Sequence, residues 1–154
     1  GGFPDMRAAE DLVFIDLVKN AGYAVGWAPG ATVWWEMQPT FSRTFRRFTL
    51  YSKHNVWAGR QWDWHYGLAR QYFVIALLIF LAVIMSPWWL VGLVLLFSAR
   101  VLRSVWRRRE KRGLIWALNP AQLLGVGVIL LTLDLATFVG WAQATMSKQQ
   151  ATAS

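Results

Sequence analysis

Tyr72-Phe73-Val74-Ile75-Ala76-Leu77-Leu78-Ile79-Phe80-Leu81-Ala82-Val83-Ile84-Met85-Ser86-Pro87-Trp88-Trp89-Leu90-Val91-Gly92-Leu93-Val94-Leu95-Leu96-Phe97-Ser98-Ala99 is the stretch that decides the fold, because no charged residue interrupts it. Its 28 residues would make a single helix about 42 Å long, against a bilayer hydrocarbon core of about 30 Å. Ser86-Pro87-Trp88-Trp89 lies in the middle of the run. One kinked helix would put both tryptophans near the bilayer centre, whereas a hairpin puts them in the interfacial belt that tryptophan favours. The spacing therefore predicts two spanning helices, from about Leu68 to Met85 and from about Pro87 to Val105.

Charge on the flanks agrees with a hairpin. Arg60 and Arg70 precede the run, and Arg100, Arg103, Arg107, Arg108, Arg109, Lys111 and Arg112 follow it. Positive flanks on both sides place both ends of the hairpin in the cytoplasm. The chain carries a formal charge of +8, and residues 100–113, with seven bases and one acid, hold most of it. A basic cluster between apolar runs reads as a topology signal resting on anionic lipid, which excludes nucleic acid as a partner. A third apolar stretch, Leu123 to Ala142, either crosses once more, leaving the tail from Thr145 outside, or lies in the interface. It holds Asp134 near its centre, and an intramembrane carboxylate is a functional suspect, here for coupling, unless Thr132, Thr137 or a neighbouring helix satisfies it.

Upstream, Asp11, Ile15, Val18 and Gly22 follow one helical face, so a helix is expected from about Ala9 to Ala21, with Asp11 heading an apolar stripe. Gly22 suits the left-handed position past a helix end, and Lys19 complements the helix dipole. Glu10 and Asp11 also suit a first turn for dipole reasons alone. After the helix, Tyr23, Val25 and Trp27 alternate, Pro29-Gly30 marks a turn, and Ala31-Thr32-Val33 follows, which reads as two short strands.

Gly1-Gly2-Phe3, Glu10-Asp11, Ala21-Gly22-Tyr23, Pro29 and Ala31-Thr32-Val33, in this order and spacing, resemble the C-terminal half of the catalytic domain of family 2 glycosyltransferases. The resemblance implies an α/β fragment, the closing part of a GT-A domain with a helix and a short β-hairpin, followed by a mainly α-helical transmembrane region. It implies that Asp11 is the general base that deprotonates the acceptor hydroxyl as it attacks the anomeric carbon of a nucleotide-activated sugar. A positioned base contributes typically about 10²–10⁴-fold to such a step, and a partly desolvated Asp11 would be more basic. Glu10 and Trp35 would orient the loop or contact the acceptor. Arg43, Arg46 and Arg47 would meet the leaving diphosphate or lipid phosphates, in a helix whose Phe41, Phe45 and Phe48 share one face suited to lipid headgroups beside Lys53.

Where many members carry a metal-binding His, this chain has Trp34, Trp35 and Glu36. The divalent metal (Mg or Mn) expected for the complete enzyme would thus take its ligands mostly outside this segment, and no metal residue is assigned here. The nucleotide-binding half of such a domain is also missing, so the chain reads as a fragment that is inactive alone. The expected organisation is residues 1–39 as the end of the catalytic domain, 40–66 an amphipathic interfacial helix and linker, 67–106 the transmembrane hairpin, 107–118 a basic cytoplasmic loop, 119–146 a third transmembrane or interfacial helix, and 147–154 a tail.

The function so implied is a membrane-bound, multi-pass glycosyltransferase of hexosyltransferase type. Its catalytic part faces the cytoplasm, and its partners are a nucleotide-sugar donor, a lipid or cell-envelope glycan acceptor and the membrane. A non-catalytic membrane anchor or assembly subunit is the alternative. The absence of cysteine excludes disulfides and thiolate chemistry. His54 and His65, set among Trp57, Trp62 and Trp64, read as part of an aromatic membrane-surface segment rather than as a metal pair.

Overall fold

The computed structural model describes residues 8–34, 38–109 and 112–147. Their elements are α1 (Glu10–Asn20), α2 (Phe41–Trp57), α3 (Gln61–Ile84), α4 (Trp89–Arg107), α5 (Leu114–Ala117) and α6 (Pro120–Met146). No strand occurs among the described residues. The expected α/β fragment with its GT-A β-hairpin is therefore overturned: the architecture is all-helical.

The reason lies in what the expected strands would have to pair with. Ala31 N–H donates to Ala28 O at 3.0 Å, so the turn at Pro29-Gly30 does form. Its two arms do not form a ladder, and Tyr23, Val25, Trp27, Val33 and Trp34 are all exposed. Alternating side chains become a strand only when a neighbouring backbone accepts the ladder, and a lone two-stranded hairpin is marginal in water.

The chain divides into two compact units, Gly1–Trp64 with Leu135–Ser154, and His65–Asp134. In the His65–Asp134 unit, α3 ends where Met85 and Ser86 N–H both donate to Leu81 O. Pro87, which has no N–H to lose, sits before the first turn of α4, and Trp89 N–H donates to Ser86 O. Small residues let these helices approach. A Cβ on Gly92 would lie 3.3 Å from the Leu78 side chain, and one on Gly127 would lie 3.4 Å from the Phe97 ring. The start of α6 is capped by Asn119 Oδ1, which accepts from Ala121 N–H at 3.0 Å, with Pro120 in the first helical position.

In the other unit, α1 ends in a Schellman motif. Gly22 takes φ 86°, Gly22 N–H donates to Lys19 O, and Tyr23 N–H donates to Val18 O. Helix α2 packs on the last part of α6 through small polar residues. Ser52 Oγ donates to Thr137 O at 2.7 Å, and Gly140 has no space for a Cβ because Thr49 O and Ser52 Cβ already fill it.

Helices α3, α4 and α6 hold 24, 19 and 27 residues, about 36, 28 and 40 Å, and all three are long and apolar enough to cross a membrane. Burial follows the pattern of a membrane protein. Ala136 is fully buried while Val83 is 81% and Leu124 72% exposed, the disposition expected where a small residue packs on protein and large apolar ones meet lipid. The chain is thus a membrane protein by the length and composition of its helices.

Candidate functional site

The Glu10-Asp11 pair opens α1 immediately after Ala9, whose backbone sits in the left-handed region at φ 65°, ψ 5°. That conformation costs a non-glycine residue about 1–2 kcal/mol, and strain of this kind concentrates at functional positions. No side chain caps the helix start. Asp11 is exposed, and its Oδ1 accepts from Leu12 N–H at 2.8 Å. It does not head a buried stripe, since α1 has no fully buried residue. Glu10 is half-buried instead, and its Oε2 is occluded with no hydrogen-bond partner among the described residues. The occluded oxygen at this helix start thus belongs to Glu10, while Asp11 is exposed.

Asp16 ties this helix to a neighbouring element. It accepts from Arg60 Nη1, and Arg60 also lies 3.7 Å from Asp63 in the first turn of α3. The α1 helix carrying the carboxylates is thereby tied to the root of a candidate spanning helix. Arg60 is thus more than a base on the positive flank, and it pairs with a residue 44 positions away in the chain.

The arginines of α2 divide. Thr40 Oγ1 caps the helix by accepting from Arg43 N–H at 3.2 Å, which leaves the Arg43 side chain exposed, as is that of Arg46. Arg47 turns along its own helix, donating from Nε to Tyr51 Oη at 2.5 Å and lying 5.4 Å from the ring centroid. Lys53 stacks on Trp57 at 4.4 Å. Phe41 is exposed, while Thr49, Ser52, His54 and Asn55 are buried, so α2 turns a polar face to the protein. Trp35 and Glu36 lie outside the described residues, as do Gly1, Gly2 and Phe3.

No group of three or more His, Cys, Asp or Glu side chains among the described residues is placed to hold a metal ion. His54 and His65 are both buried, and His54 meets the edge of Trp57 at 5.1 Å.

A second polar centre lies in the His65–Asp134 unit. Asp134 of α6 is buried, and both its oxygens accept from Arg100 of α4, at 2.5 and 2.6 Å. Tyr72 of α3 donates its hydroxyl to Oδ2 at 3.0 Å. A carboxylate at the middle of a spanning helix is costly without such partners, and a bidentate guanidinium is the strongest of them. Of the partners named from sequence, a neighbouring helix is the one that serves; Thr132 Oγ1 instead donates to Val128 O in its own helix. Arg100, the first base after the apolar run, is thus also the ion-pair partner of Asp134. The available signal was that Asp134 is the one acid of its apolar run and Arg100 the first base after the other.

Compared with known proteins, the chain matches no family model, no curated protein and no solved structure.

Proposed function

We propose that this chain is part of a membrane-bound glycosyltransferase that moves a sugar from a nucleotide-sugar donor to an acceptor hydroxyl of a lipid or cell-envelope glycan at the cytoplasmic face. Asp11 is the general base. The observation that carries the reading is the helix start itself. An acidic pair follows a strained Ala9, one carboxylate is open to an incoming acceptor, and the helix is fastened through Asp16 and Arg60 to the root of a candidate spanning helix. The ordered family-like residues around the pair support the same reading.

In this scheme the acceptor hydroxyl approaches Asp11 from the membrane side. As its oxygen bonds to the anomeric carbon, the bond from that carbon to the donor diphosphate breaks and the hydroxyl proton passes to the Asp11 carboxylate. Glu10, with one oxygen occluded, orients the loop. The exposed guanidinium groups of Arg43 and Arg46 meet phosphate, of the leaving diphosphate or of lipid.

One observation favours a second reading, a non-catalytic anchor or assembly subunit. Asp11 accepts from the neighbouring Leu12 N–H, a contact that helix-start carboxylates make for stability alone. Membranes bearing the full-length protein, supplied with tritiated UDP-glucose, UDP-N-acetylglucosamine or GDP-mannose, separate the two. Asp11→Asn is expected to lower label transfer into lipid or glycan at least about a hundredfold. No transfer by the unaltered protein, or near-normal transfer by the variant, rejects the role of Asp11.

A further inference from the structure

The C-terminal half of α4 carries more positive charge than its own partners neutralise. Arg100, Arg103 and Arg107 recur at i, i+3 and i+7 and so share a face. With Arg108, Ser104 and Gln71 of α3 they line one cleft of about 410 Å³. Arg100 is already committed to Asp134. The cleft lining holds no carboxylate, and Arg103, Arg107 and Arg108 make no ion pair among the described residues. Like charges at i, i+4 repel. Guanidinium groups gathered beside a neutral amide and a hydroxyl are the donor set that recognises phosphate oxygens.

The surroundings of the cleft say which kind of phosphate. A second cleft of about 480 Å³ shares Ser104, Arg108 and Leu130 with the first and continues between α4 and α6. Val105, Val126, Ile129 and Leu133 line it, with Trp116 of α5 and Gln122. A polar head region thus adjoins a mostly apolar groove, a shape that fits a phosphate carrying a hydrocarbon chain better than a free anion. The remaining arginines of this segment are turned elsewhere: Arg109 lies 3.4 Å from the Trp106 ring centroid and Arg112 4.6 Å from that of Trp116.

We infer that the Arg103–Arg107–Arg108 cleft is a binding site for a phosphate-bearing lipid headgroup, with the lipid chain lying in the α4–α6 groove. A merely basic segment near anionic lipid would weight each arginine alike. The site weights them by position. It stands whether or not the chain transfers sugar, because none of its residues takes part in the proposed reaction.

The test uses the full chain, purified into phosphatidylcholine nanodiscs containing graded phosphatidylglycerol, with retained lipid counted by native mass spectrometry and helicity checked by circular dichroism. Phosphatidylglycerol is expected to be retained saturably over phosphatidylcholine. Arg103→Gln with Arg107→Gln should weaken retention about tenfold or more. Arg109→Gln with Arg112→Gln, which removes the same formal charge, should change it less than about twofold. Should the glutamine pair fail to fold, Arg103→Lys with Arg107→Lys keeps the charge and loses the planar fork, and a loss of about threefold or more is expected. Equal losses in the 103/107 and 109/112 pairs, undiminished retention in the lysine pair, or displacement of the lipid by millimolar inorganic phosphate would each overturn the site.

Discussion

Asp11 and Asp134 are both carboxylates on helices, and they differ in almost every physical respect. Asp134 is buried, both its oxygens are filled by one guanidinium, and a tyrosine hydroxyl adds a third bond. Asp11 is exposed, and among the described residues its side chain accepts from the N–H of the next residue. The difference teaches how burial decides whether a carboxylate's lone pairs are already taken. A charge inside a spanning helix bundle has its lone pairs consumed by the partners that make its burial tolerable. A charge at an exposed helix start keeps its lone pairs for an incoming group, and the scaffold has only to hold the helix in place.

The contrast breaks most readily at Asp134. Asp134→Ala leaves Arg100 without its partner and is expected to destabilise the folded protein by about 3–5 kcal/mol. Thermal unfolding in mild detergent should show it as a large drop in Tm. Arg100→Leu combined with Asp134→Leu should recover most of the loss, since a well-packed apolar pair replaces a buried ion pair at little cost. A double variant as unstable as the single would mean that the junction has a role beyond pairing.

Next in size is the α2–α6 contact. Gly140→Ala pushes a methyl into Thr49 O and Ser52, and should cost about 1–3 kcal/mol by the same measurement. Ala9→Gly changes the sign: relief of the left-handed residue should stabilise the protein by about 1 kcal/mol. Arg60→Gln, which cuts the partly exposed tie to Asp16, is expected to cost less than about 1 kcal/mol, and less still in high salt. That small cost is informative, because a tie that contributes little to stability and yet lowers sugar transfer when cut is positioning α1.

Much of the helical skeleton can be read from local chemistry. Ser86-Pro87 interrupts an apolar run, Gly22 takes the left-handed turn that its place after Asn20 suggests, and the turn at Pro29-Gly30 forms. Each of these depends on a few neighbouring residues. The strands expected around that turn do not form, because alternation records a preference for a sheet without supplying one. The pairing of Arg100 is not legible locally because its partner lies 34 residues away. The inward face of α2 was missed for a related reason: the Phe41–Phe45–Phe48 stripe dominates the pattern, while contact with α6 runs through Thr49, Ser52 and Gly140, whose value is small size rather than hydrophobicity. At the candidate site, sequence points to the Glu10-Asp11 pair. It does not tell which of the two is occluded, since that depends on how α1 is held.

Function tests the contrast most directly. The full-length protein and its Asp11→Asn variant, measured side by side for Tm in detergent and for sugar transfer in membranes, should share a Tm within about 2 °C, because an exposed helix-start contact contributes little. Transfer should fall at least about a hundredfold. Transfer that survives the substitution would contradict the account, and would leave Asp11 a carboxylate that only steadies the start of its helix.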